Sequence, residues 1–327
     1  GPPRITAGRV PKLALFCPAG PFVATPGERL QSAPQAVPKL LRILLTGLAF
    51  AGFFSFGAVI GRLLLPLYAR WPGTPEQKQR RVERAVCGVY RTFINILNVT
   101  GLVRYRRPTL PPDFPAMGRG YVVIANHPSL IDTLILMGLA PGLASVTKAS
   151  WFHSALLRPL MRYANHIPGP DRTPALPGKA DPEDMSIESV EDAEVPAVVT
   201  RMVAHLEAGH PLVIFPEGSR SFERKMRRFR RGAIEAAIRA GVPIVPAFIS
   251  VNPPMLMKHQ PWYVVPERAG HFRVEFFPVI ETAGKHLDAR QLNRELRATY
   301  EARFQEHLRE RDASALPSPA PRQLPQT

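Results

Sequence analysis

Residues 121–132 read YVVIANHPSLID, a short run of β-branched and small apolar side chains that leads straight into a histidine and an acid. Val122, Val123, Ile124 and Ala125 are bounded by polar residues, the pattern of a strand covered on both faces. The strand is expected to stop at Asn126. Pro128 suits the first turn of a following helix, where its missing N–H costs nothing, which sets His127 at the junction and Asp132 one turn in. On a continuous helix this offset puts two side chains on different faces, but a histidine just ahead of the helix reaches back to the acid. Such a pair orients one imidazole nitrogen and leaves the other to act as a base. Alone, a His-Pro turn after a strand is an ordinary structural junction.

Further along the chain, Leu212 to Phe215 reads as a second buried strand, and it runs into FPEGSRS, residues 215–221. Pro216 and Gly218 shape a tight turn. Gly218 lets the backbone approach a ligand closely, and Arg220 offers a planar fork of donors to an oxyanion. Glu217 is unexpected beside an anion site and makes better sense as an acceptor for a ligand hydroxyl or as a buttress for an arginine. Standing alone, this heptapeptide is equally a charged strand-to-helix turn.

Together, NHPSLID and FPEGSRS, each closing a buried strand, resemble the phospholipid and glycerolipid acyltransferase family that includes 1-acylglycerol-3-phosphate acyltransferases. The resemblance covers Ala85 to Val279. Lesser blocks match as well: Lys148 after its strand, the loop IPGPDR ending in Arg172, and IVPAF from Ile244 to Phe248. Ser219 stands where the family more often has threonine, which keeps the hydroxyl, and the proline-containing IPGPDR loop is less usual. The resemblance implies an α/β fold, a mixed β-sheet flanked by helices, with an N-terminal membrane helix or re-entrant hairpin. It also implies direct acyl transfer from a thioester to an alcohol, with no covalent enzyme intermediate, no metal and no cofactor. His127 is then the general base and Asp132 its orienting partner. Glu217, Gly218, Ser219 and Arg220 bind the polar head of the acceptor, with Arg172 and Lys148 as further phosphate contacts.

The chain of 327 residues is 45% hydrophobic and carries a formal charge of +16, mostly from arginine. That surface calls for an anionic partner, nucleic acid or an anionic membrane with its phosphate-bearing lipids. Cys17 and Cys87 lack partners at metal spacing, so neither a disulfide framework nor a zinc site is expected. Residues 1–38 are proline-rich and read as a flexible arm; the missing initial Met suggests processing or a remnant of the expression vector. Ile43 to Gly61 is nineteen residues without a charge, long enough for a membrane span of roughly 20 residues, so 39–70 is expected to be the anchor. Pro66 is expected to kink or end that helix, leaving a re-entrant hairpin as the alternative. Gly57 and Gly61 form a small-xxx-small pair of the kind that joins membrane helices. Arg70, Arg80, Arg81 and Arg84 follow, and the positive-inside rule sets them in the cytoplasm. Arginine-heavy usage suggests a bacterial chain, hence an inner membrane with the catalytic body on its cytoplasmic face.

Within the expected catalytic domain, 71–310, Pro75 to Leu102 is an amphipathic helix with Val82, Val86, Val89, Phe93, Ile96 and Leu97 on its apolar face. Residues 173–196 form a solvated acidic insertion, seven acids against Lys179. FERKMRRFRR, residues 222–231, interleaves cations with aromatics. Nucleic acid is the obvious rival partner, but the run abuts the phosphate turn, which favours an anionic lipid surface or a donor carrier, acyl-CoA or acyl-carrier protein. No nucleic acid is expected. Met255 to Val265 holds Trp262 and Tyr263 among prolines, as a membrane-facing or packed surface loop. A charged terminal helix spans Leu287 to Glu310, and 311–327 reads as a disordered tail. A lysophospholipid is the expected acceptor, with a lyso-ornithine lipid, glycolipid or polyene lipid as alternatives. Two more distant readings are a serine hydrolase using Ser219, disfavoured because G-x-S-x-G is absent, and a non-catalytic membrane-anchored lipid-binding protein.

Overall fold

The buried apolar runs assemble into one sheet. The computed structural model describes residues 38–116, 118–170 and 195–315. The arm up to Val37, Arg172, the acidic insertion as far as Glu194 and the tail past Ala315 lie outside the described residues. The strands are β1 (Val103–Tyr105), β2 (Val122–Ala125), β3 (Ala144–Thr147), β4 (Ile167–Pro168), β5 (Leu212–Ile214), β6 (Ile244–Asn252) and β7 (Gly270–Phe276). They form a seven-stranded sheet in the order β1-β7-β6-β2-β5-β3-β4. β6, β2, β5, β3 and β4 run parallel, while β7 pairs antiparallel with β6, so the sheet is mixed as expected. Because these five are parallel, their carboxyl ends open on one edge. That edge collects the segments after each strand, the usual place for a ligand crevice in such a sheet.

All four residues of β2 are buried, which a two-sided sheet requires. On one face Val123, Ala125, Val213, Val245, Ala247 and Ile249 join the cluster formed with α1 (Lys39–Arg70), α2 (Pro75–Val99), α3 (Ile131–Met137) and α5 (Arg158–Tyr163). A short α4 (Ala149–His153) precedes α5. The other face meets α6 (Val195–Glu207), α7 (Gly232–Ala240) and α8 (Ala289–Ala315), with Tyr300 of α8 edge-on to Phe248 of β6. The α8 helix runs past the Glu310 boundary expected from sequence.

The apolar amino-terminal helix α1 is continuous over 32 residues and is long and apolar enough to cross a membrane. Pro66 neither ends it nor opens a hairpin. Lacking an N–H, Pro66 has nothing to give the carbonyl one turn back, and the helix absorbs the gap as a π-helical stretch, Ile60–Leu64, before resuming over Leu65–Arg70. Gly57 and Gly61 serve a contact within the chain: a Cβ on Gly61 would stand 3.0 Å from the Leu160 amide nitrogen of α5. One side of α1 packs on the body through such contacts, whereas Leu40, Leu44, Leu48, Phe56, Leu63 and Leu67 are exposed. Arg42, 3% exposed, sends Nη1 to the Gly101 carbonyl just past the end of α2, a cation at a helix carboxyl terminus. In α2 the capping box at Thr74 starts the helix; Val82, Val86, Tyr90, Ile94 and Leu97 face the core, while Ile96 lies outward, 50% exposed.

Candidate active site

β2 and β5 are neighbours in register, Val123 opposite Val213 and Ile124 opposite Ile214. The turns that follow them are therefore brought side by side. His127 leaves β2 and stacks on Phe215 at the end of β5, ring centroids 4.0 Å apart and 18° from parallel. Its Nδ1 lies 2.9 Å from Asp132 Oδ1, close enough for an ion pair although off the N–H axis, with Asp132 fully buried. The helix begins later than expected: α3 starts at Ile131, so Pro128 sits in the turn before it and Asp132 is in its first turn. Asp132 closes that turn itself. Its Oδ2 accepts the Ser129 amide at 2.8 Å and its Oδ1 the Thr133 amide at 2.7 Å. Two backbone donors thus fix the buried carboxylate in place, facing the imidazole.

Glu217, expected as an acceptor for a ligand hydroxyl or a buttress for an arginine, is taken up within the protein. It is 3% exposed, and its Oε1 accepts the His127 amide at 3.1 Å and the Ser221 hydroxyl at 2.8 Å, while Oε2 accepts the Arg227 amide at 2.9 Å. Ser221 in turn donates its amide to the His127 carbonyl at 2.7 Å. The carboxylate is a brace between three stretches of chain, through two backbone amides and the Ser221 hydroxyl, and Arg227 is held through its amide. Burial pushes the Glu217 carboxyl up, and the three donors pull against that.

Gly218 has φ +69°, and a Cβ there would lie 3.1 Å from Nε of Arg230, so the missing side chain makes room for a guanidinium laid across the turn. Ser219 is half-buried beside it. Arg220 is half-buried and gives Nη1 to the carbonyls of Leu256 and Met257 at 2.8 and 3.0 Å. Burial pushes the Arg220 guanidinium down, and the nearby Asp132 carboxylate works against that. Lys148 follows β3, one strand beyond β5 on the same edge, and is exposed. Arg172 lies outside the described residues. In the basic run Arg224 pairs with Asp312 at 2.7 Å and Arg231 with Glu235 at 2.5 Å, which partly neutralises it.

Several contributors carried no signal in the sequence. Asn126, 1% exposed, donates Nδ2 to the Ile249 carbonyl at 2.8 Å and accepts the Ile249 amide at 2.6 Å, so its side chain pairs with β6 like a piece of strand. Nearby, Pro246 interrupts the donors of β6, and the Tyr300 hydroxyl gives its proton to the Ile124 carbonyl at 2.6 Å and accepts the Ala247 amide at 2.9 Å. Phe215 was legible only as strand. Its place under His127 follows from β2–β5 adjacency. Among the described residues no group of three or more histidines, cysteines or acids is placed to hold a metal ion.

A model described as Acyltransferase matches residues 97–250, which include every described residue named above for the site except Leu256 and Met257 of the loop after β6 and Tyr300 of α8. The 1-acyl-sn-glycerol-3-phosphate acyltransferase of Limnanthes alba is 30% identical over 159 residues, 48% of this chain and 47% of that protein. The 1-acyl-sn-glycerol-3-phosphate acyltransferase alpha of Homo sapiens is 31% identical over 180 residues, 53% of each. The chain thus spans about half the length of the curated relatives it matches. The crystal structure of the 1-acyl-sn-glycerophosphate acyltransferase PlsC from Thermotoga maritima superposes with a TM-score of 0.60 at 18% identity, covering 86% of this chain and 100% of that one, a likeness of fold. The family model thus lies over the sheet edge that carries both turns, and residues 97–250 are similar to the Acyltransferase family.

Proposed function

We propose that this chain is a membrane-bound O-acyltransferase that moves a fatty acyl group from an acyl thioester, acyl-CoA or acyl-carrier protein, to a lysophospholipid, foremost 1-acylglycerol-3-phosphate. The observation that carries the reading is the His127–Asp132 pair at 2.9 Å, set on the ring of Phe215 beside the FPEGSRS turn. Asp132 holds Nδ1, which leaves Nε2 to take the proton of the acceptor hydroxyl as that oxygen attacks the thioester carbonyl. Collapse of the tetrahedral intermediate breaks the C–S bond, and the imidazolium returns the proton to the departing thiolate. Asp132 and the face of Phe215 both stabilise the charged ring during that interval. The amides of His127, Ser129, Leu130, Gly218 and Ser221 are already engaged within the protein, so the donor to the oxyanion is another group on this edge.

Arg220 and Lys148 are the acceptor's phosphate contacts in this reading, and Gly218 admits Arg230 to the same rim. Glu217 holds the two turns together and does not touch the ligand. The α1 helix seats the body on a membrane, and in a bacterial cell the basic surface faces the cytoplasmic side of the inner membrane. The test is to supply labelled acyl-CoA and acyl-carrier protein with a panel of lyso-acceptors to the purified protein. Phosphatidate forms with the wild type, and His127→Ala lowers turnover by about 10²–10⁴ while still folding and partitioning into membrane. Near-normal turnover in that variant sinks the mechanism; a product from a different lyso-acceptor reassigns the substrate.

A further inference from the structure

The loop between β6 and β7 connects two parts of the molecule that the proposed reaction treats separately. At one end Leu256 offers its carbonyl to the Leu130 amide at 3.2 Å and to Arg220 Nη1 at 2.8 Å, and Met257 offers its own to the same Nη1 at 3.0 Å. The acceptor arginine and the turn that carries His127 thus share this short piece of backbone. Leu256 sits at φ +51°, a left-handed conformation that a leucine holds only when its surroundings impose it. A few residues on, the Gln260 side chain accepts the Met257 amide at 3.0 Å and the Gln260 amide returns to the Met257 carbonyl at 3.2 Å, tying the middle of the loop to that carbonyl.

At the other end Trp262 lies on α1. A Cβ added to Gly47 would stand 3.1 and 3.2 Å from Cζ3 and Cη2 of the indole, so the ring rests on bare helix backbone, and its centroid is 6.5 Å from that of Phe50. Trp262 is 46% exposed, and its other ring contact is with the adjacent Tyr263, edge-on at 5.8 Å between centroids. We propose that Trp262 is a positioning residue for the acceptor arginine: seated on Gly47 and Phe50, it holds the loop in the form whose Leu256 and Met257 carbonyls fix Arg220 and the Leu130 amide. The seating of α1 in lipid is thereby coupled to acceptor binding some distance away. The inference rests on the reading of Arg220 as a phosphate contact.

The experiment compares wild type, Trp262→Ala, Trp262→Phe and Gly47→Leu, the last of which evicts the indole from the α1 side. Each is assayed in mixed micelles with palmitoyl-CoA and oleoyl lysophosphatidate, and by amide hydrogen exchange over the Leu130 turn. Trp262→Ala and Gly47→Leu raise the lysophosphatidate KM about tenfold with kcat and the palmitoyl-CoA KM within about twofold. In both, exchange at Leu130 speeds up about tenfold, and Trp262→Phe restores both readouts. Unchanged exchange and KM in Trp262→Ala overturns the proposal, as does an equal loss on both substrates and kcat, which marks general loosening. If the wild type transfers nothing to lysophosphatidate, the functional reading fails, and the exchange measurement still decides whether Trp262 holds the loop.

Discussion

Asn126 is the residue on which the position of His127 is expected to depend most directly, since it is the preceding residue and both its polar atoms are bonded to Ile249. Asn126→Leu keeps the approximate volume and strands an amide and a carbonyl of a fully buried residue. Each stranded group costs about 1–3 kcal/mol, so the substitution should cost about 2–6 kcal/mol of a total stability of about 5–15 kcal/mol. Thermal unfolding followed by circular dichroism in detergent should show a drop on the order of 10 °C. Asn126→Asp separates the two bonds. An ionised carboxylate still accepts the Ile249 amide, but its second oxygen meets the Ile249 carbonyl oxygen without a proton between them. Burial and that carbonyl raise the introduced carboxyl above its ordinary value of about 3.9. Its neutral form, whose O–H can donate to the carbonyl, fits the fold, so stability is present at low pH and lost as pH rises through the raised value. Relative to wild type, Asn126→Asp should be markedly less stable at pH 8 than at pH 5. A Leu variant within a degree or two of wild type, or an Asp variant with the same deficit at both pH values, refutes the reasoning.

Two other outcomes follow from geometry at and near the edge. Burial pushes His166 down to about 4, and its Nδ1 accepts the Ser145 amide at 3.0 Å, so the fold holds it neutral. Its contribution is present above the ordinary value of about 6.5 and is lost as pH falls from there through about 4. His205 is pushed down to about 4 as well, chiefly by burial, so His166→Asn, with an amide oxygen in place of Nδ1, should remove about half of the fall in melting temperature between pH 7 and 4.5 that these two histidines cause; an unaltered pH profile refutes it. Gly218→Ala forces a Cβ into the left-handed region at φ +69° and against Arg230, costing roughly 1–2 kcal/mol of strain. It should raise the acceptor KM more than it lowers kcat, and steady-state kinetics that show the reverse contradict the placing of that turn at the head group.

The strands were legible because their side chains do one thing. Val122 to Ala125, Leu212 to Ile214 and Ile244 to Ala247 are apolar on both faces, and only a sheet covered on both sides tolerates that pattern. The two turns were legible only as a pair: each alone passes for an ordinary structural turn, and what marks them is that both close buried strands. What escaped the sequence was where buried polar atoms spend their hydrogen bonds, because those partners come from distant segments. Glu217 is bonded by backbone or hydroxyl of residues 127, 221 and 227, Asn126 by residue 249, and Tyr300 by residues 124 and 247. Read along the chain, a charged residue inside a motif points to a ligand; read in the fold, three of the roughly four acceptor sites of the Glu217 carboxylate are taken up within the protein. The same count sorts the rest of the edge. Asp132 accepts two backbone amides and keeps Oδ1 toward the His127 imidazole, so in the proposed reaction it acts through His127. Arg220 has given Nη1 to the loop after β6, and a guanidinium fixed at one nitrogen presents the others in a set direction. Lys148, exposed at the end of β3, is the flexible cation of the set. A rigid fork beside the base and a mobile ammonium one strand away would hold the acceptor's phosphate from two sides, with the hydroxyl to be acylated left toward His127.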